Sequence, residues 1–354
     1  MQVLLTGALG NIGLATLETL TKEGHGVVAF DLESHRARNL ASGFDGRARF
    51  VWGDITDSES LRDALEGVDA VIHLAAIIPP YADRAPELAR RVNLDATRDL
   101  IAQMEASPTA KRLVFASSQG IFGDVQDREP PLRVDTPVSP TDEYGRQKVE
   151  CERAIRQSRL RWSILRLSAV TPLHMQAQDP SIMFEISPDA RFEFLHPADA
   201  GTAFARAVAC EESIGKILNI AGGPTCRMTY YDFVSALMGA MRIGPIPIDA
   251  FVRRHPPRYF GDWVDTAESQ QLLKYQQRGL DAQLEDMRND FGAKRHFVRL
   301  VRPLATWFVT RSSAYLKENR RLSAVVRDRP LRRLLKCDIT CDIAFVNRLT
   351  RIFR

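Results

Sequence analysis

The feature that most constrains this chain lies in its first thirty-one residues. A strand-like run, Gln2-Val3-Leu4-Leu5, enters Thr6-Gly7-Ala8-Leu9-Gly10-Asn11-Ile12-Gly13, and a helical pattern through Leu14, Leu17 and Leu20 carries on to Lys22-Glu23-Gly24. Such a turn is a phosphate cradle. Gly7 and Gly10 let the backbone approach a pyrophosphate, Gly13 lets the helix pack on the strand, and the helix start at Asn11 and Ile12 offers unpaired N–H groups to an anion. A second apolar run, Val27-Val28-Ala29-Phe30, ends at Asp31, whose carboxylate can accept both hydroxyls of an adenosine ribose. Glycines alone recur in turns; the order strand, glycines, helix, strand, acid is what marks a dinucleotide site.

Asp31 favours NAD over NADP, because a 2′-phosphate would meet its charge, although His35 and Arg36 follow closely. The 354 residues suffice for two domains and a large buried core. Five cysteines, Cys151, Cys210, Cys226, Cys337 and Cys341, are odd in number and scattered, which predicts a reduced, cytoplasmic compartment. The chain enters a strand at once, so no targeting peptide is expected, and no apolar run approaches the ~20 residues that span a bilayer. Cys337 and Cys341 can share a helix face, but no His pair or second Cys pair sits near them, so no metal site is expected.

Strands and helices then alternate. Ala48 to Trp52 reads as a third strand ending in Gly53-Asp54-Ile55-Thr56. Asp54 can cap the helix from Ser58 to Leu65 or bond an adenine amino group, and Asp57 or Ser58 can equally supply the cap. Val68 to Ala76 reads as a buried fourth strand, apolar on both faces as a parallel sheet requires. His73 reads as structural, and the small Ala75 and Ala76 after Leu74 would let a cofactor lie against the strand end. A helix from about Pro86 to Met104 carries Asn93, and a fifth strand from Lys111 to Ala116 ends in Ser117-Ser118-Gln119-Gly120.

A loop rich in Asp, Pro and Arg leads into a helix bearing Tyr144 and Lys148, four residues apart and therefore on one face. For a phenol to act as a base near neutrality its pKa must fall from about 10 toward ~7, roughly 4 kcal/mol of preference for the phenolate. One cation at ~4 Å with an effective dielectric of ~20 supplies about that much. Serine, tyrosine and lysine can thus converge above the carboxyl edge of a sheet.

Together these pieces resemble an extended short-chain dehydrogenase/reductase of the NAD-dependent epimerase/dehydratase group. The resemblance rests on the glycine turn, Asp31, Gly53-Asp54-Ile55, His73-Leu74-Ala75-Ala76, Asn93, Ser117-Ser118 leading to Phe122-Gly123, and Tyr144 with Lys148. Further on, Phe194-Leu195-His196-Pro197-Ala198-Asp199-Ala200 is similar to the turn where the family's second lobe rejoins the sheet, and Leu218 to Gly222 to its last shared strand. The fold implied is α/β, a Rossmann-type doubly wound parallel sheet over residues 1–170, completed by about 194–222. A smaller substrate lobe over 171–293 and a basic helical extension over 294–354 complete the expectation. The resemblance implies that Tyr144 transfers a proton, that Lys148 lowers its pKa and holds the nicotinamide ribose, and that Ser118, rather than Ser117, orients the substrate oxygen. Asn93 would stabilise the site through a helix carbonyl or water. It also implies reversible hydride transfer at a secondary alcohol or ketone of a small-molecule substrate such as a sugar or sugar nucleotide, either as net oxidation or reduction or as epimerisation with NAD regenerated, with NAD as cofactor, in a homodimer built on the helices bearing Asn93 and Tyr144.

Departures bear on the substrate. Dehydratases of the group carry an Asp-Glu pair after the hydroxyl residue, where this chain has Gln119 and Gly120, so dehydration is not expected. The Leu167–His196 stretch is short for a sugar-nucleotide enzyme, and the family's Arg-Asp-Phe step is reduced to Arg191-Phe192. Ile77-Ile78-Pro79-Pro80 adds an apolar patch, which suits a hydroxysteroid-like or other apolar alcohol as the alternative to a sugar. A non-catalytic nucleotide sensor is the rival from another class, and the intact Ser118, Tyr144 and Lys148 speak against it.

Residues 294–354 hold sixteen Lys/Arg against four Asp/Glu, which leaves the preceding 293 residues at −8 although the whole chain is +4. Phe297, Leu300, Val301, Leu304, Trp307 and Phe308 fall at helical spacing beside Arg295, Arg299 and Arg302, with Pro303 positioned to kink or begin a helix. Leu331, Leu334 and Leu335 with Arg332, Arg333 and Lys336 repeat the theme. Such a segment can pack on the acidic body or lie on an anionic membrane; nucleic acid is the weaker partner for it.

Overall fold

The computed structural model describes residues 1–171, 180–253, 255, 257–259 and 261–321. The basic repeat around Leu331–Lys336 and the Cys337/Cys341 pair lie outside the described residues. Seven parallel strands form the main sheet: β1 (Gln2–Thr6), β2 (Gly26–Asp31), β3 (Arg49–Trp52), β4 (Ala70–His73), β5 (Arg112–Ser118), β6 (Arg161–Leu167) and, after the two short strands of the lobe described below, β9 (Lys216–Ile220). Their order is β3-β2-β1-β4-β5-β6-β9, all parallel. The chain winds outward from β1 through β2 and β3, then returns to place β4 on the other side of β1. A crevice therefore opens at the carboxyl ends of β1 and β4, where the connecting loops diverge.

Both sheet faces are buried, which is why the strands read as unbroken apolar runs. Val3 and Leu5 pack under the helices Asn11–Lys22 and Pro197–Ala209, while Leu4 faces Leu61, Leu100 and Ile155 from the helices Ser58–Leu65, Ala96–Ala106 and Glu143–Gln157. The smaller lobe pairs β7 (Ala169–Val170), β8 (Arg191–Leu195) and β10 (Arg227–Thr229). Against them the helices Tyr230–Ala240 and Leu280–Phe291 bury Phe184, Phe192, Phe194, Phe233, Phe251 and Met287. Two further helices follow, Lys294–Leu300 and Arg302–Thr310, the second with Pro303 in its first turn, as the sequence suggests. No helix among the described residues is long and apolar enough to cross a membrane.

Three elements differ from the sequence reading, each for a non-local reason. β4 stops at His73 because the Ala75 N–H turns aside to Thr6 Oγ1, at 3.3 Å. The helix expected from Pro86 to Met104 runs on to Ala106 but is interrupted by a π-helical turn, Arg91–Asp95, centred on Asn93. The residues Asp262 to Ala267 read in the sequence as the start of a helix ending near Tyr275, yet the helix spans only Ala267–Leu273, since Asp262 is taken by Arg191 (Nε to Oδ1, 2.9 Å) and the Val264 N–H by Glu193 Oε2 (3.0 Å).

The crossing of the helices Asn11–Lys22 and Pro197–Ala209 depends on Gly201, where an added Cβ would sit 2.4 Å from the backbone carbonyl carbon of Ala15. Gly201→Ala should force the helices apart and lower stability by about 1–3 kcal/mol. Chemical denaturation reads this, and an unchanged midpoint would show that the crossing tolerates the methyl group.

Candidate functional site

The glycine turn closes on itself. Gly7 adopts φ +68°, its N–H donates to Phe30 O at 3.0 Å, and the Gly10 N–H donates back to Gly7 O at 3.2 Å. A Cβ at Gly13 would sit 2.1 Å from Gly7 O, and one at Gly7 would sit 2.8 Å from Ala75 N. No side chain caps the following helix, and Gly10 and Asn11 are exposed at its start, so its first N–H groups remain open to an anion. Asn11 reaches sideways, Nδ2 donating to Thr171 O at 3.3 Å, while Ile12 is half-buried. A turn whose backbone at Gly7, Gly10 and Gly13 carries no Cβ fits a pyrophosphate.

Asp31 ends β2 beside this turn. Its Oδ2 accepts the Leu9 N–H at 2.7 Å and its Oδ1 the Leu32 N–H at 2.8 Å. Burial raises its pKa above the usual carboxylate value, against those two bonds. The carboxylate expected to meet a ribose therefore also braces the glycine turn. Asp54 is exposed and accepts from both the backbone N–H and the hydroxyl of Thr56, at 2.9 Å each. The helix from Ser58 is capped by Asp57, and the Ile55 side chain is buried.

A buried polar chain holds the loop after β4. His73 Nδ1 lies 2.7 Å from Thr6 Oγ1 and Nε2 lies 3.0 Å from Thr97 Oγ1. The single Thr97 hydroxyl proton goes to Asn93 O (2.7 Å), so His73 must donate through Nε2 and accept through Nδ1. The ring is neutral, and burial together with Lys148 pushes its pKa down to about 3. His73 is structural, as its place in the sequence suggests. Asn93, itself buried, clamps Ile77 through both backbone groups, Oδ1 accepting the N–H at 2.8 Å and Nδ2 donating to the carbonyl at 2.9 Å. Its Nδ2 also donates to Gln147 Oε1 at 2.9 Å. That amide is spent on the loop, so Asn93 acts by positioning Leu74, Ala75, Ala76 and Ile77 along the crevice.

At the end of β5 the two serines part. Ser117 is buried and donates to Glu152 Oε1 at 2.6 Å, inside the buried Arg166–Glu152 ion pair. Ser118 accepts the Gly120 N–H at 3.1 Å, and among the described residues no acceptor takes its own proton. The helix Glu143–Gln157 starts against this turn: Asp142 caps it through the Gly145 N–H (2.7 Å), and a Cβ on Gly145 would lie 3.4 Å from Gly120 O. Lys148 is buried; its ammonium donates to Ala116 O at 2.8 Å and lies 4.6 Å from the Phe115 ring centre and 5.6 Å from that of Tyr144. Serine, tyrosine and lysine are thereby gathered around the end of one strand.

The electrostatics differ from the sequence argument. Burial pushes Lys148 down to about 8, and burial followed by the Asp142 carboxylate pushes the Tyr144 phenol above its ordinary range. Without a cofactor, desolvation outweighs the pull of an ammonium whose nearest hydrogen bond is to a carbonyl. Arg258 carries no signal in the sequence, yet its Nε bonds Glu185 Oε2 (2.8 Å), one terminal nitrogen bonds Asp83 Oδ2 (2.7 Å), and the other lies 3.6 Å from Asp142 Oδ2. It ties the smaller lobe to the cap of the Tyr144 helix. Gln147 and Thr6 were equally silent, because their roles depend on partners far away in the chain.

Comparisons with known proteins agree with this architecture. The family model described as the NAD dependent epimerase/dehydratase family matches residues 3–221. The D-erythronate dehydrogenase of Cupriavidus necator is 33% identical over 157 residues, 42% of this chain and 47% of that protein. A Lactobacillus helveticus UDP-glucose 4-epimerase is 34% identical over 160 residues, 43% and 46% of the two chains. The human sterol-4-alpha-carboxylate 3-dehydrogenase (decarboxylating) is 30% identical over 150 residues, 42% and 38%. The matches thus span less than half the length of each relative. Among solved structures, a Stenotrophomonas maltophila UDP-glucose-4-epimerase with bound NAD superposes with TM-score 0.71 at 19% identity, over 85% of this chain and 99% of that one, which speaks for the fold.

Asn93→Ala would strand the N–H and carbonyl of Ile77 in a half-buried loop, at about 1–3 kcal/mol for each unsatisfied group. A loss of at least about 2 kcal/mol is expected in denaturant titration; under about 1 kcal/mol would mean that water replaces the amide.

Proposed function

Because the chain belongs to the NAD-dependent epimerase/dehydratase family, we propose that it is an enzyme moving hydride between NAD and a secondary alcohol or ketone of a small hydroxylated molecule, a sugar, sugar acid or sugar nucleotide. The observation that carries this reading is the placement of Tyr144 and Lys148 by the Lys148–Ala116 bond, beside the unspent proton of Ser118. Residues Gly7, Gly10, Asn11, Ile12 and Gly13 would hold the pyrophosphate, Asp31 the adenosine ribose, and Asp54 and Ile55 the adenine. Leu74, Ala75 and Ala76 would flank the cofactor, with Tyr144 and Lys148 at the nicotinamide ribose. NAD bound there supplies the hydride acceptor and, once reduced, the donor.

The chain's own residues then divide the proton work. Ser118 donates to the substrate oxygen and fixes its position. Tyr144 takes the hydroxyl proton on oxidation and returns it on reduction, and a cationic Lys148 favours the phenolate against the burial that raises its pKa. Gln119, in place of a carboxylate, leaves no acid there to expel water. A second reading, an apolar alcohol as substrate, has one supporting observation: Ile78, on the loop leading from β4, and Tyr81, at the start of the short helix Tyr81–Arg84, are 53% and 58% exposed.

Screening the purified protein with UDP-sugars, four-carbon hydroxy acids and apolar secondary alcohols separates the two readings. On whichever substrate turns over, Tyr144→Phe should keep NAD affinity and lose at least about two orders of magnitude in rate; unchanged turnover removes Tyr144 from the mechanism. Fluorescence titration should show NADH bound more tightly than NADPH, and the reverse order would contradict the role given to Asp31.

A further inference from the structure

The helices Lys294–Leu300 and Arg302–Thr310 present two different sides. One side is fastened to the smaller lobe: Thr306 Oγ1 accepts the Gly244 N–H at 3.0 Å, Val309 packs against the lobe core, and Thr310 is buried. Just beyond, the buried Asn319 amide donates to Asp249 O and Phe251 O, at 2.9 Å each. The other side carries Phe297, Leu300, Leu304, Trp307 and Phe308, exposed by 66, 80, 61, 56 and 58%. On the helix Arg302–Thr310, at 100° per residue, Leu304, Trp307 and Phe308 fall within one arc opposite Thr306 and Val309, and Phe297 and Leu300 are exposed on the helix before it. A helix that turns its small and polar residues to the protein and its large apolar ones to solvent is not an ordinary surface helix.

The seam between this segment and the lobe adds a second observation. A notch of about 250 Å³ there is lined by Gly239, Arg242, Ile243, Arg299 and Arg302. Three of the five are arginines and none is acidic, a composition that suits an anion with several oxygens. Arg311 lies over the rings of Trp307 and Phe308, at 5.3 and 4.8 Å, and brings a further cation to the apolar arc.

We propose that residues 294–321 dock on an anionic phospholipid surface, with the apolar arc in the interface and the three-arginine notch taking a lipid phosphate. Charge selects this occupant. The segment holds eight Lys/Arg and one Asp/Glu, and residues 322–354 hold eight and three, so neither the chain's own end nor the same face of a second copy complements it. Residues 1–293, at −8, are repelled by the same membrane and would be held away from it. Aromatic rings beside arginines are the composition of interfacial helices. This proposal stands apart from the assigned chemistry, since no site residue belongs to the segment.

The test is co-sedimentation of the full chain with vesicles of phosphatidylglycerol and phosphatidylcholine against vesicles of phosphatidylcholine alone. Binding to the anionic vesicles should be at least about tenfold stronger, weaken with salt, and fall at least about tenfold in Phe297→Ser/Trp307→Ser and in Arg299→Gln/Arg302→Gln. Both are exposed substitutions, and circular dichroism checks that the fold persists. Equal or absent binding to the two vesicle types overturns the proposal. So does a light-scattering mass that drops to the monomer in Phe297→Ser/Trp307→Ser, which would make the arc a contact between copies. Loss of vesicle binding in millimolar inorganic phosphate, with the apolar variant unaffected, would assign the notch to free phosphate and equally overturn it.

Discussion

The carboxyl edge of the sheet depends on one line of hydrogen bonds, from Thr6 through His73 and Thr97 to Asn93, and on through the Asn93 amide to Ile77 and Gln147. It crosses from β1 to β4, to the interrupted helix and to the helix bearing Tyr144. Every member is buried or half-buried, so each bond is made in a low dielectric where leaving it unmade is costly. The line admits only one tautomer of His73 and one orientation of the Asn93 amide. What hangs from it is the loop Leu74–Ile77, which lies against Gly7 and closes one wall of the crevice.

Burial also sets the charge states at the site. Lys148 and Tyr144 are both displaced toward their neutral forms, the ammonium downward and the phenol upward. At neutral pH the phenol stays protonated while Lys148, at about 8, keeps most of its charge, and a further positive charge arriving nearby favours the phenolate. The ion pairs around the site do different work. Arg166 and Glu152 are buried together and hold Ser117 out of the crevice, while Arg258 joins three carboxylates from three segments and links the two lobes.

Charge is segregated along the chain as well. The acidic body contains the sheet, the lobe and the crevice, and the basic excess lies in residues 294–354, whose described part is fastened to the side of the lobe. Attachment through Thr306, Thr310 and Asn319 leaves the large apolar side chains facing outward. A helix bound through its polar side keeps its apolar side for something else.

Local chemistry made part of this legible in the sequence alone. The glycine turn, Asp31, the unbroken apolar strands, the shared face of Tyr144 and Lys148 and the helix started by Pro303 are consequences of backbone sterics and of the periods of strand and helix, which a few neighbouring residues determine. Only the tertiary structure decided the remainder. It bonded Ser117 to Glu152, spent the amide of Asn93 on Ile77, brought Arg258 to Asp83, Asp142 and Glu185, and placed the phenol of Tyr144 above its ordinary pKa. Each of these turns on a partner or a degree of burial contributed by residues far away in the chain, and no short window of sequence contains that information.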